Sequence, residues 1–245
     1  MGTDMGVKPE KSMVLAAGFG QRMRPLTEKI PKPLVPVAGR ALLDHVLDRL
    51  AAVGVGEAVV NVHYLPEQII AHVASRVVPR VVISREDGSV LGTGGGVVKA
   101  LPLLGEAPFF HLNSDTLWID ASRPNLERMA ENFDPARMDV LLLMAPVAGS
   151  LGYSGRGDYS MAEDGRLCAR GSREEVPLVY AGAAILSPAI FASAAGGEFA
   201  LTEIFARVEQ QGRLYGIILD GLWMHVGTPD AIAPAEAALA AAERR

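Results

Sequence analysis

Cysteine occurs once in the 245 residues, at Cys168, which excludes an internal disulfide framework and a cysteine-rich metal centre. No apolar run approaches the roughly 18 residues of a membrane-spanning helix, so no span is expected. The first residues are polar and lack the apolar segment of a secretory leader. Residues 1–10 are expected to form a disordered leader, and the cytoplasm is the expected compartment. There is no internal repeat and no hexapeptide β-helix pattern. The glycine segment Gly18-Phe-Gly-Gln-Arg-Met23 lacks the third glycine of a dinucleotide fingerprint, with Met23 in its place. No Gly-Lys-Ser/Thr follows, so the segment is not a Walker A loop either.

What is present is a concentration of positive charge. The chain carries a net charge of −5, yet residues 11–40 hold Lys11, Arg22, Arg24, Lys29, Lys32 and Arg40 against the single acid Glu28. A protein that is acidic overall but basic in one loop is suited to a compact polyanion rather than to nucleic acid, and a nucleoside triphosphate fits that description. Backbone N–H groups near Gly18 and Gly20 can wrap phosphate oxygens. Arg22 and Arg24 supply bidentate forks and Lys32 a point charge. Prolines 25, 31, 33 and 36 stiffen the loop and lower the ordering cost of binding.

Apolar runs alternate with amphipathic stretches. Strands are expected at residues 12–16, 58–62, 80–84, 108–112, 140–144 and 215–219. Helices are expected at 41–53, 66–75 and 202–211, with an alanine-rich helix at the C-terminus. A glycine-rich turn over 88–96 is expected to open a further helix running through residue 101. The rhythm predicts an α/β fold, a Rossmann-like three-layer sandwich around a mixed, mainly parallel sheet. From about residue 150 to 185 the segments read as short strands of a small accessory β region. A single domain over 11–245 is expected, with a nucleotide-binding half (11–150) and a sugar-binding half (151–245).

The stretch from Leu15 to Thr27, followed by Ile30-Pro-Lys-Pro-Leu-Val-Pro-Val37, resembles the signature of the sugar-1-phosphate nucleotidyltransferases, a glycosyltransferase-A-like family. The likeness continues through Thr93-Gly-Gly-Gly-Val-Val-Lys-Ala-Leu-Pro102, Asn113-Ser-Asp115, Gly155-Arg-Gly-Asp158 and Trp223-Met-His-Val-Gly-Thr228. The resemblance implies attack of a sugar-1-phosphate oxygen on the α-phosphorus of a nucleoside triphosphate, with pyrophosphate leaving. Such chemistry rests on positioning and charge neutralisation. It implies Arg24 and Arg22 on the pyrophosphate, Lys32 between the two reacting phosphates, and Ala16, Ala17, Gly18, Gly20, Thr93, Gly94 and Gly95 around the nucleotide. UTP with N-acetylmuramate 1-phosphate, a substrate pair of cell-wall recycling, is the favoured combination, and GTP with mannose 1-phosphate is the alternative. A regulatory protein that senses nucleotide-sugars is the alternative of another class.

Asp115 follows an apolar strand and suits Mg²⁺, which takes one or two carboxylates plus phosphate oxygens; a turn or N-cap aspartate is the plainer role. The family pattern usually has a second aspartate where this sequence has His225. Imidazole suits Mn²⁺ better than Mg²⁺, so His225 either shares the metal with Asp115 or stands behind it; a structural histidine is the plainer role. Asn113, Asp158, Tyr180, Gly182 and Glu203 are the candidate sugar contacts. Asp158 and Glu203 read equally well as capping or surface acids.

Overall fold

The computed structural model describes residues 7–244. Residues 1–6 of the expected leader lie outside them, whereas Val7 packs against the core, Pro9 is buried and Glu10 accepts a backbone bond from Gly56 (3.1 Å). Residues 7–10 are therefore held against the fold.

The strands are β1 (Lys11–Leu15), β2 (Pro36–Val37), β3 (Arg40–Ala41), β4 (Glu57–Val62), β5 (Arg80–Arg85), β6 (Phe109–Asn113), β7 (Thr116–Asp120), β8 (Val140–Pro146), β9 (Tyr159–Met161), β10 (Leu167–Ala169), β11 (Leu178–Leu186), β12 (Leu214–Ile218) and β13 (Gly221–His225). The α-helices are α1 (Leu42–Ala52), α2 (Pro66–Val73), α3 (Gly92–Leu104), α4 (Asn125–Asn132), α5 (Leu201–Gln210) and α6 (Ile232–Glu243). The central sheet runs β10-β9-β11-β6-β1-β4-β5, with β8 also on β11 and β12 beyond it. The block β6-β1-β4-β5 is parallel throughout, and β11 joins it antiparallel.

One apolar cluster holds the buried side chains of α1, α2 and α4 against one face of the sheet, and a second holds those of α3 and α5 against the other. The result is the three-layer α/β arrangement expected. Helix α1 shows how the pattern works: Leu42, Leu43, Val46, Leu47 and Leu50 fall on one face and are all fully buried. Each contributes roughly 2 kcal/mol of gross burial.

Three differences from the sequence reading matter for the site. Helix α3 begins at Gly92, so Gly94 to Gly96 are helical rather than part of a turn. The segment before residue 185 is not all accessory hairpin: β9 and β10 are short, but nine-residue β11 is a full member of the main sheet. Strand β7, unforeseen, pairs with β13 in a separate two-stranded ribbon.

Candidate active site

The parallel block ends its strands on a cleft of about 270 Å³, where ligands of open α/β sheets collect. The turn after β1 lines it with Ala16, Ala17, Gly18 and Gly20, while Asn113, Ser114 and Asp115 follow β6. Thr93 comes from the first turn of α3, and Lys32 from a short 3₁₀ turn, Lys32–Leu34.

On this floor Lys32 Nζ lies 2.5 Å from Asp115 Oδ2, both side chains largely shielded from water. His225 reaches the same place through strand register. In the β7–β13 ribbon it stands directly opposite Thr116, the residue after Asp115. The ribbon is pinned to the sheet by Trp223, whose Nε1 donates to Thr116 Oγ1 and to the Ala181 carbonyl, each at 3.1 Å. Burial holds the His225 pKa below its ordinary value. The charge of Asp115 opposes that, and the charges of Lys32 and Arg22 reinforce it.

Arg22 and Arg24 are exposed on the loop beside the cleft, and among the described residues neither makes an ion pair or a side-chain hydrogen bond. The loop is nevertheless fixed. Met23 is fully buried in a third apolar cluster with Val35, Val37 and Leu42, and Thr27 Oγ1 donates to the Gly20 carbonyl (2.8 Å). Tyr64 in turn donates to the Thr27 carbonyl (2.8 Å). Two free cations thus project from a loop anchored beneath them.

Gly94 and Gly95 do not line the cleft. A β-carbon on Gly94 would fall 2.2 Å from the Phe199 ring, and one on Gly95 would fall 2.0 Å from the Gly197 carbonyl. The N–H groups of both bond to the Phe199 carbonyl, and Thr93 Oγ1 accepts from Leu201 N (2.8 Å). These glycines let the segment before α5 lie on α3, so the expectation that they surround a nucleotide is corrected; Thr93 alone of the three reaches the cleft.

A buried carboxylate unnoticed in the sequence ties together the glycine-turn side of the cleft. Glu86, 2% exposed, accepts from Asn61 Nδ2 (2.6 Å) and from Leu91 N (2.9 Å), while Asn61 Oδ1 accepts from Ala16 N (2.7 Å). The glycine turn after β1 and the start of α3 are therefore joined through two side chains. The only hint in the sequence is an acid directly after a strand.

Behind Asn113, which lines the cleft, buried Gly182 sits in the left-handed region (φ +82°) where the β11–β8 register shifts, a bulge that only glycine enters freely. A β-carbon there would press on Asn113 Nδ2 and Thr116, both 3.1 Å away. Asp158 and Tyr180 lie together in a second cavity, where Asp158 Oδ2 accepts from Tyr180 N (2.9 Å). Glu203 belongs to neither cavity: it caps α5 by accepting from Ala200 N (3.1 Å), the capping role the sequence left open.

Among the described residues no group of three or more His, Cys, Asp or Glu side chains converges. A cation at Asp115 would have one carboxylate from the chain, with the His225 imidazole either in its shell or behind it, and phosphate oxygens and water completing the shell. That donor set fits a hard divalent ion that arrives with a nucleotide.

The family model described as "MobA-like NTP transferase domain" matches residues 12–198. N-acetylmuramate alpha-1-phosphate uridylyltransferase of Caulobacter vibrioides is 47% identical over 97% of this chain and 100% of its own. Probable mannose-1-phosphate guanylyltransferase 2 of Arabidopsis thaliana is 30% identical over 89% of this chain and 62% of its own. Among solved structures, UDP-glucose pyrophosphorylase complexed with UDP-glucose superposes with a TM-score of 0.76 at 19% identity, covering 97% of this chain and 100% of that one, a likeness of fold.

Proposed function

Since the chain belongs to the MobA-like NTP transferase family, we propose that it transfers a uridylyl group from UTP to N-acetylmuramate 1-phosphate, releasing pyrophosphate. The observation that carries this reading is the Lys32–Asp115 pair on the floor of a glycine-lined cleft, with Arg22 and Arg24 unpaired beside it. The base and sugar follow the full-length similarity to the Caulobacter protein. The second reading, mannose 1-phosphate with GTP, has the weaker similarity of the Arabidopsis protein in its favour.

The attacking sugar phosphate is already ionised, so no strong general base is required. The difficulty is bringing two anions together. Lys32 lies between them and offsets their repulsion, gaining strength from its shielded position. Arg24, helped by Arg22, holds the departing pyrophosphate through charge-assisted bonds. Asp115, with His225 beside it, would hold a magnesium or manganese ion, which supplies charge neutralisation at the triphosphate when bound. Asn113 and Gly182 border the sugar. Within this reading the protein works in the cytoplasm, where nucleoside triphosphates are at hand.

The test is pyrophosphate release with UTP, GTP, CTP and dTTP crossed against N-acetylmuramate, N-acetylglucosamine, glucose and mannose 1-phosphates. The expected result is highest turnover for UTP with N-acetylmuramate 1-phosphate. Nucleotide binding without release in every combination would favour a sensing protein instead.

A further inference from the structure

The second cavity, about 280 Å³, lies where the β9–β10 hairpin, β11 and α5 meet, and the reaction as described leaves it without a task. Its most distinctive lining residue is Arg170, a half-buried cation. The guanidinium is fixed in plane: Nε donates to the Gly157 carbonyl (3.1 Å) and Nη1 to the Arg173 carbonyl (3.3 Å). Among the described residues it has no carboxylate within ion-pair distance, whereas Arg166 and Arg213 nearby are each paired with an aspartate. An oriented, partly desolvated guanidinium without a counter-ion matches an incoming carboxylate.

Strand β11 connects this cavity with the catalytic cleft. Tyr180 lines the cavity, and Gly182, two residues on, faces Asn113 at the cleft. Two residues of chain span at most about 7 Å, and less at the bulge, a distance within the reach of a hexose ring and its substituents. A sugar whose 1-phosphate lies at Lys32 and whose ring passes Gly182 therefore carries its far substituents toward Arg170. Asp158, in the same cavity, has one carboxylate oxygen committed to Tyr180 N and the other available to a hydroxyl.

We propose that Arg170 recognises the lactyl carboxylate of N-acetylmuramate 1-phosphate and makes this cavity the specificity pocket for the acidic sugar. This deepens the sugar assignment above and rests on it. N-acetylglucosamine 1-phosphate is the same molecule without the lactyl group, so it reports on everything except this contact. With Arg170 removed, Asp158 and nearby Glu209, which accepts from Ala169 N (2.9 Å), would leave the pocket with an excess of negative charge.

The experiment measures kcat and KM for both sugar phosphates with UTP in the wild type, R170Q and R170K. R170Q is expected to raise KM for N-acetylmuramate 1-phosphate about ten- to a hundredfold. Residual turnover of N-acetylglucosamine 1-phosphate and KM for UTP should stay at wild-type values, and R170K should recover part of the loss. Equal loss on both sugars, or no loss on either, would overturn the role of Arg170 while leaving the sugar assignment standing. If R170Q fails to fold, R170K decides by the same comparison. A wild type that does not turn over N-acetylmuramate 1-phosphate would remove the sugar assignment and this proposal together.

Discussion

Lys32 and Asp115 come from segments 83 residues apart in sequence, yet their ammonium and carboxylate meet at 2.5 Å on the floor of the cleft. Within the proposed function the pair would neutralise itself until substrate binds, when Lys32 would turn to phosphate and Asp115 to a divalent ion. K32M should lower kcat/KM by about 10²–10³-fold, the scale of removing one preorganised charge from a shielded site. Thermal unfolding should shift little, because methionine keeps the aliphatic stem. Steady-state kinetics with a melting curve would check both, and wild-type turnover in K32M would refute the role.

Removing the rim charges should have a different signature. R24A is expected to raise KM for pyrophosphate in the reverse reaction about tenfold or more, with a smaller effect from R22A. Because both arginines are exposed, added salt should narrow the gap between R24A and wild type. A KM for pyrophosphate unchanged by R24A would place the leaving group elsewhere.

His225 stands where β-ribbon register brings it beside Asp115. H225D should shift the ratio of Mg²⁺ to Mn²⁺ turnover toward Mg²⁺, since a carboxylate replaces a softer imidazole donor. A ratio identical to the wild type would remove His225 from the metal shell.

G94A tests the packing of α3 against the segment before α5. The added methyl falls within 2.2 Å of the Phe199 ring, an overpacking that costs about 1–3 kcal/mol. F199A should cost stability on its own, but G94A should cost much less in the F199A background. Denaturant unfolding of the four-member cycle measures that coupling, and strict additivity would contradict it.

Acid should destabilise the fold through His111. This residue is 1% exposed, its Nδ1 lies 3.2 Å from the Tyr180 hydroxyl, and burial pushes its pKa down to about 4 from an ordinary 6.5. The folded state keeps the ring neutral while the unfolded chain takes up a proton, so its contribution to stability is full above about pH 6.5 and is lost as pH falls toward 4. The loss amounts to about 3 kcal/mol. Melting temperatures of wild type and H111Q from pH 7 to 4 should show a shallower decline for H111Q, whatever its stability at neutral pH; parallel curves would refute the assignment.

Much of the fold was legible because hydrophobic period and glycine punctuation act locally. The face of α1, the apolar strands and the turn after β1 follow from spacing alone. The glycine turn after β1 and Asn113 to Asp115 after β6 stood out for the same reason, being turns at strand ends, and both line the cleft. Partners distant in sequence were not. Glu86 reads as an ordinary loop acid until Asn61 and Leu91 are folded against it. Gly94 and Gly95 read as a ligand cradle because nothing local reveals that Phe199, about a hundred residues on, occupies the space. Asp120, which closes β7, accepts from Arg49 Nη1 and from Trp118 Nε1, and this framework too joins remote segments. The role of Glu203 turned on geometry at the start of α5, where sequence alone allowed both a cap and a ligand.

The two tryptophans of the chain stand directly opposite one another in the β7–β13 ribbon, and the ring of Trp223 is 5.7 Å from that of His225. The tryptophan emission of the chain therefore originates entirely from the strand pair that carries the histidine to the aspartate. A titration needs no dye or label: quenching as an ion or nucleotide arrives would be read by a chromophore the protein already holds against His225.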